Sequence, residues 1–212
     1  MTLAQELETY LPSGTRLNFG QLSISRTSNG VFEACHIDDV TMTDSLQAID
    51  SSTALREMAK FDKTGAYRPL KTAPTLKTGW KTGCTGAAEF LKRLDAIYPA
   101  VFATWVAYDK GEHTSTSLRK TLDRQTGMYR FAGTITDQMA NRMMRELCFP
   151  GCLRKIAWPI NDESPVSRIK PQAHSIPLIC TEACTFAISA ARSLAKEAYD
   201  KANPPANPDS SI

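Results

Sequence analysis

Long apolar runs are missing from this 212-residue chain. None approaches the roughly 18 to 20 consecutive apolar residues that a bilayer-spanning helix requires. The N-terminus, Met1-Thr2-Leu3-Ala4-Gln5-Glu6-Leu7-Glu8, lacks a basic stretch ahead of an apolar one. No signal peptide is therefore expected, and the expected compartment is the reducing cytoplasm. Histidine is scarce: His36, His113 and His174 are widely scattered. That leaves no histidine metal cage, and no Ser/His/Asp, Cys/His or paired-carboxylate set that would support hydrolysis. Internal repeats, heptad runs and low-complexity blocks are also absent, apart from a polar tail after Asn203. Composition is otherwise that of a folded protein, with 42% hydrophobic and 22% charged residues.

What the chain does have is cysteine. Four of its six cysteines form two matched pairs, Cys148-x3-Cys152 and Cys180-x3-Cys184, separated by 27 residues. Close pairs in a reducing compartment read as metal or cluster ligands rather than disulfides. The first pair flanks Phe149-Pro150-Gly151, a turn expected to follow a helix and to bend Cys148 and Cys152 towards each other. The second pair is expected to open a long alanine-rich helix. Residues four apart there would present both sulfurs on one face, with the positive helix end favouring thiolate. Four converging thiolates suit a [4Fe-4S] cluster, and Arg145, Arg154 and Lys155 lie near in sequence to offset its charge. A structural zinc site uses similar pairs, and disulfides or plain core packing are further readings. Cys35 and Cys84 remain outside this set. Cys84 lies in Gly79-Trp80-Lys81-Thr82-Gly83-Cys84-Thr85-Gly86, which lacks the ending of a phosphate-binding loop.

The residue pattern predicts an α+β protein, with a mainly antiparallel mixed sheet packed with helices and the cysteine pairs at helix ends. Residues 1–12 form a short amphipathic helix. Thr27-Ser28-Asn29-Gly30 turns a hairpin between Leu17 and His36. A helix capped near Ser51 runs towards Gly65, and a helix from Thr85 or Gly86 stops at Pro99. Strands are expected over Val101–Tyr108, Met128–Thr134 and Leu153–Ile160, with a helix from Thr136 to Cys148. Asn161–Pro177 reads as loop, and Thr181–Ala202 as the last helix. Residues 1–202 are read as one domain, with a candidate sub-boundary near 99, and 203–212 as a disordered tail.

Charge is uneven. Eight lysines and arginines between Lys60 and Arg93 face two carboxylates, although the whole chain carries only +3. Within this stretch, Pro69 and Pro74 keep residues 66–80 extended. Arg68, Lys71 and Lys77, interleaved with Tyr67 and Trp80, form a candidate site for a flat anionic ligand through charge and ring stacking. A solvated loop with inward-packed aromatics is the plainer alternative. Expected partners are an anionic small molecule or an acidic redox protein, rather than a membrane or nucleic acid.

The segment Tyr67-Arg68-Pro69-Leu70-Lys71-Thr72-Ala73-Pro74, continuing through Leu76 and Gly79-Trp80 and followed by late paired cysteines, resembles the [4Fe-4S]-binding domain found with CbiX-like sirohydrochlorin cobaltochelatases. The resemblance spans roughly residues 15–200. It implies that Cys148, Cys152, Cys180 and Cys184 hold the cluster and that the protein is connected with tetrapyrroles, meaning sirohaem or cobalamin. Chelatases of that class handle metal and pyrrole protons with histidines and a glutamate. The scattered histidines here leave the cluster module without that site. The expected function is thus a [4Fe-4S] protein with an electron-transfer or redox-sensing role, any catalysis being redox or tetrapyrrole-related. The alternative is a zinc-stabilised, non-catalytic module that grips an anionic partner.

Overall fold

The computed structural model describes residues 1–125, 132–164, 166 and 168–203, and shows an α+β protein. They fall into two compact units. The first comprises Met1–His113, Cys152–Lys155 and Arg168–Ile179; the second comprises Thr114–Gly151, Ile156–Ser167 and Cys180–Ile212.

The first unit opens with helix α1 (Leu3–Tyr10), started by a capping box in which Thr2 and Gln5 satisfy each other's backbone N–H groups. Strands β1 (Thr15–Phe19), β2 (Leu22–Arg26) and β3 (Phe32–His36) follow as an antiparallel meander. Three strands thus occupy the segment that the Asn-Gly signal alone reads as two. Gly20, at φ +63°, makes the extra turn where a side chain would strike Tyr98 and Leu178. Then come β4 (Gln47–Ala48), α2 (Ser52–Met58) capped by Ser51, β5 (Trp80–Cys84), α3 (Ala87–Ile97) and α4 (Val101–Asp109). The short strand β7 (Ser175–Ile176) returns from late in the chain to pair in parallel with β1. The sheet order is β4-β5-β3-β2-β1-β7.

Alternation decides which sheet face is buried. Phe19, Leu22, Ile24 and Phe32 are fully buried, Phe19 meeting Tyr98 and Phe102 edge-on and Phe32 stacking on Phe90. The opposite face carries small and polar residues. Arg16, Ser23, Ser25, Glu33, Cys35 and Lys81 line a cleft of about 360 Å³ there.

One expected strand is replaced in this unit. Val101–Tyr108 is a helix, although its valines and aromatics favour strand. The run is apolar on nearly every side, so periodicity cannot separate a buried strand from a buried helix. Val101, Phe102, Trp105, Val106 and Tyr108 are all buried. Trp80–Cys84 is a strand, in which a Cβ added at Gly83 would lie 3.2 Å from the Phe32 carbonyl oxygen, a tight approach.

In the second unit, α5 (Leu118–Asp123) and α6 (Asp137–Met143) lead into a widened π-helical turn, Met144–Cys148, continued by one helical turn, α7 (Phe149–Gly151). The long helix α8 (Thr185–Ala202) follows. Leu118, Leu122, Ile135, Met143, Trp158 and the alanine stripe of α8 (Ala187, Ala191, Ala195) form its core. Two-residue strands β6 (Lys155–Ile156) and β8 (Ile179–Cys180) complete the element order, so the strand expected over Leu153–Ile160 shrinks to two residues. The strand expected over Met128–Thr134 falls largely outside the described residues, with Ala132–Thr134 a 3-10 turn. The tail expectation lies almost wholly outside them. No helix among the described residues is long and apolar enough to cross a membrane.

Candidate metal centre

Cys148 ends the π-helical turn. There the Phe149 N–H bonds to the Met144 carbonyl, five residues back. A proline at 150 inside an α-helix would clash with the carbonyl four residues earlier, and the wider turn relieves that clash. Phe149-Pro150-Gly151 is therefore helical, where a bend is expected from sequence. Phe149 is 67% exposed, and Cys148 half-buried.

The second pair departs from the expected one-helix arrangement. Cys180 lies at the end of β8, its carbonyl accepting from the Ala157 N–H at 2.8 Å. Cys184 is the N-cap of α8, whose first residue comes four positions later than the expected start at Thr181, and the Cys184 carbonyl receives the Ile188 N–H. Only Cys184 thus sits at a helix N-terminus. It is exposed, whereas Cys180 is half-buried. Trp158, buried in the core, donates its indole N–H to the Cys180 Sγ at 3.3 Å, and that thiol in turn donates to the Glu182 carbonyl. Glu182 is ion-paired with Arg124.

Cys152 lies in the first unit, directly after α7. Its Sγ is 3.1 Å from the Thr72 hydroxyl and 3.4 Å from the Arg154 backbone N–H, while the Leu153 N–H bonds to the Thr72 carbonyl at 2.9 Å.

The basic segment folds around Arg68, which is only 2% exposed. Its guanidinium donates to the Thr75 hydroxyl and to the carbonyls of Ala59, Lys71 and Ala73. Burial pushes its pKa down. The Lys71 ammonium also bonds to the Ala59 carbonyl, at 2.8 Å, and burial followed by the neighbouring Arg68 charge lowers its pKa. Trp80 is buried, its indole N–H bonded to the Lys77 carbonyl. The structure therefore gives Arg68, Lys71 and Trp80 internal work, in place of the ligand-facing role expected for them. Tyr67 is 66% exposed, and Lys77 lies over the Phe61 ring.

Cys35 and Cys84 have thiols whose pKa is pushed up, chiefly by burial, so neither is poised as a thiolate. Sequence reasoning missed Thr72 and Trp158. The one usable signal was that a buried tryptophan N–H needs an acceptor.

None of the six cysteines is in a disulfide. Among the described residues, no three His, Cys, Asp or Glu side chains are gathered as metal ligands. The donor chemistry nevertheless fits a cluster: thiol ligands, with N–H donors directed at the sulfurs of Cys152 and Cys180 and a hydroxyl beside Cys152, are what a thiolate-bound iron–sulfur core uses.

The comparisons with known proteins agree with this chemistry. Residues 5–109 match the DR2241 stabilising domain, and residues 110–193 match the 4Fe-4S iron-sulfur cluster binding domain. No curated protein matches. Among solved structures, the chain resembles DR2241 from Deinococcus radiodurans, with a TM-score of 0.73 and 24% identity over 92% of this chain. DR2241 is described as a multi-domain protein with structural similarity to chelatases and two additional novel domains, and the chain covers 41% of its length. Along its length the chain is thus similar first to a DR2241 stabilising domain and then to a 4Fe-4S iron-sulfur cluster binding domain.

Proposed function

We propose that the chain is an electron-transfer module in which Cys148, Cys152, Cys180 and Cys184 together hold the [4Fe-4S] cluster, serving tetrapyrrole chemistry. The observation that carries the electron-transfer role is the exposure of Cys184 at the N-cap of α8. A ligand at the surface gives a donor or acceptor a short path to the metal. Phe149, beside Cys148, and Phe186, beside Cys184, are also exposed, at 67% and 37%, and offer an apolar rim for a partner. The N–H groups at the start of α8, which take no side-chain cap from Cys184, favour the negative charge of the bound core.

When bound, the cluster supplies a one-electron couple. The tetrapyrrole connection is supported by the similarity of DR2241 to chelatases. The expected partners are an acidic redox protein or an anionic tetrapyrrole such as sirohydrochlorin, met near the accessible Tyr67 and Lys77.

Anaerobic purification tests the reading. A brown protein with about four irons and four sulfides per chain is expected. Its visible absorbance should be bleached by dithionite and recovered on reoxidation. Each of the four Cys→Ala variants should lose most of that iron. A colourless protein carrying one zinc would overturn the proposal, and a cluster that cannot be cycled reversibly would overturn its electron-transfer part.

A further inference from the structure

We infer that Thr72, a residue of the stabilising domain, belongs to the cluster site as a hydrogen-bond donor to the Cys152 thiolate, held in place by Arg68. The inference rests on Cys152 being a cluster ligand, as proposed above. The Thr72 Oγ1 and Cys152 Sγ lie 3.1 Å apart, and as a neutral pair either could donate. A metal-bound cysteine carries no proton, so the threonine hydroxyl must then be the donor.

The geometry makes that contact hard to lose. Thr72 is 2% exposed, so water does not compete for its hydroxyl. Its carbonyl simultaneously receives the Leu153 N–H at 2.9 Å. One residue therefore grips two consecutive residues, Cys152 and Leu153, some 80 positions away. Arg68 fixes the grip, because its Nη2 binds the carbonyls of Lys71 and Ala73, the residues on either side of Thr72. Arg68 is a positioning residue, acting on the sulfur only through Thr72.

A hydrogen bond to a ligand sulfur draws charge from the core and favours its reduced, more negative form, which raises the potential. Removing the hydroxyl should lower it. In the full chain loaded anaerobically with iron and sulfide, Thr72→Val should shift the oxidised-to-reduced ratio at a fixed ambient potential about tenfold towards oxidised, or about 59 mV for a one-electron couple. Thr72→Ser, which keeps the hydroxyl, should titrate like the parent.

Thr72→Ala repeats the measurement without the bulk of valine, in case Thr72→Val does not fold. Parent-like potentials in the hydroxyl-free variants would overturn the inference, as would a Thr72→Ser variant as shifted as Thr72→Ala. Cys152→Ala separates the two levels. If it keeps four irons and the parent potential, the ligand assignment beneath the inference fails. If it loses the cluster while Thr72→Val titrates unchanged, only the role of Thr72 fails.

Discussion

The Arg68 guanidinium holds the backbone on both sides of Thr72, donating to the Lys71 carbonyl at 2.9 Å and to the Ala73 carbonyl at 2.8 Å. A side chain that the sequence presents as surface cation is thus the internal brace of a loop. Its charge is met by carbonyl dipoles rather than by a ligand.

Arg68→Ala should therefore act first on stability. It leaves the Lys71 and Ala73 carbonyls without their charged donor, while the Ala59 carbonyl keeps the Lys71 ammonium. A loss of about 3 kcal/mol is expected, within the range for truncating a buried charged partner of several hydrogen bonds. Urea denaturation of the apo chain measures it. An unchanged midpoint would show that solvent takes over the brace.

Trp158→Phe keeps a ring in the second-unit core while deleting the N–H that reaches the Cys180 Sγ. One such bond is worth about 1 kcal/mol. If the bond favours the reduced cluster by that amount, the potential of the loaded protein should fall by roughly 40 mV. A redox titration beside a melting curve separates this from any packing loss, since a purely structural effect would move the melt alone.

Acid should weaken the first unit through His36. Its ring is buried, its Nδ1 accepts from the Asp38 backbone N–H at 3.2 Å, and its Nε2 lies 3.2 Å from the Gln21 side-chain nitrogen. Burial is the main cause holding its pKa below the ordinary 6.5, although Asp38 and Asp39 partly oppose it. The unfolded chain therefore binds this proton more readily than the native one. The contribution of His36 is present above about pH 6.5 and is lost as pH falls through the lower native value. Comparing denaturation at pH 7 and pH 5 in the parent and His36→Gln should show a smaller loss in the variant. An equal loss would place the acid sensitivity elsewhere.

At Gly20, alanine meets two obstacles. The backbone sits at φ +63°, and the added Cβ would lie 2.8 Å from both the Leu178 Cδ1 and the Tyr98 Cε2. Gly20→Ala should cost about 2 to 3 kcal/mol, from left-handed strain plus overpacking. Calorimetry checks this, and Gly30→Ala is the control, because its Cβ meets nothing within 4 Å although its φ is also positive, at +80°.

Legibility divides along physical lines. The cluster chemistry was readable because ligand type is a property of the chain itself, and the α+β class was readable from patterning. The capped starts of α2 and α6, at Ser51 and Thr136, were also readable, because a cap is a local hydrogen bond. Val101–Asp109 was not, since a segment buried on nearly every side carries no period. The late start of α8 was missed because the alanine pattern extends back to Ala183, into the turn and cap that precede the helix. Nothing local announces Thr72 either, because its partner at Cys152 is brought to it only by tertiary folding.

The widened turn at Met144–Cys148 has a consequence for any shortened version of this chain. Deleting one residue there would restore the ordinary helical register, swing the Cys148 side chain by about 100° around the axis, and set the ring of Pro150 against the backbone behind it. A single-residue change in length, with every thiol retained, would be enough to disarm the site.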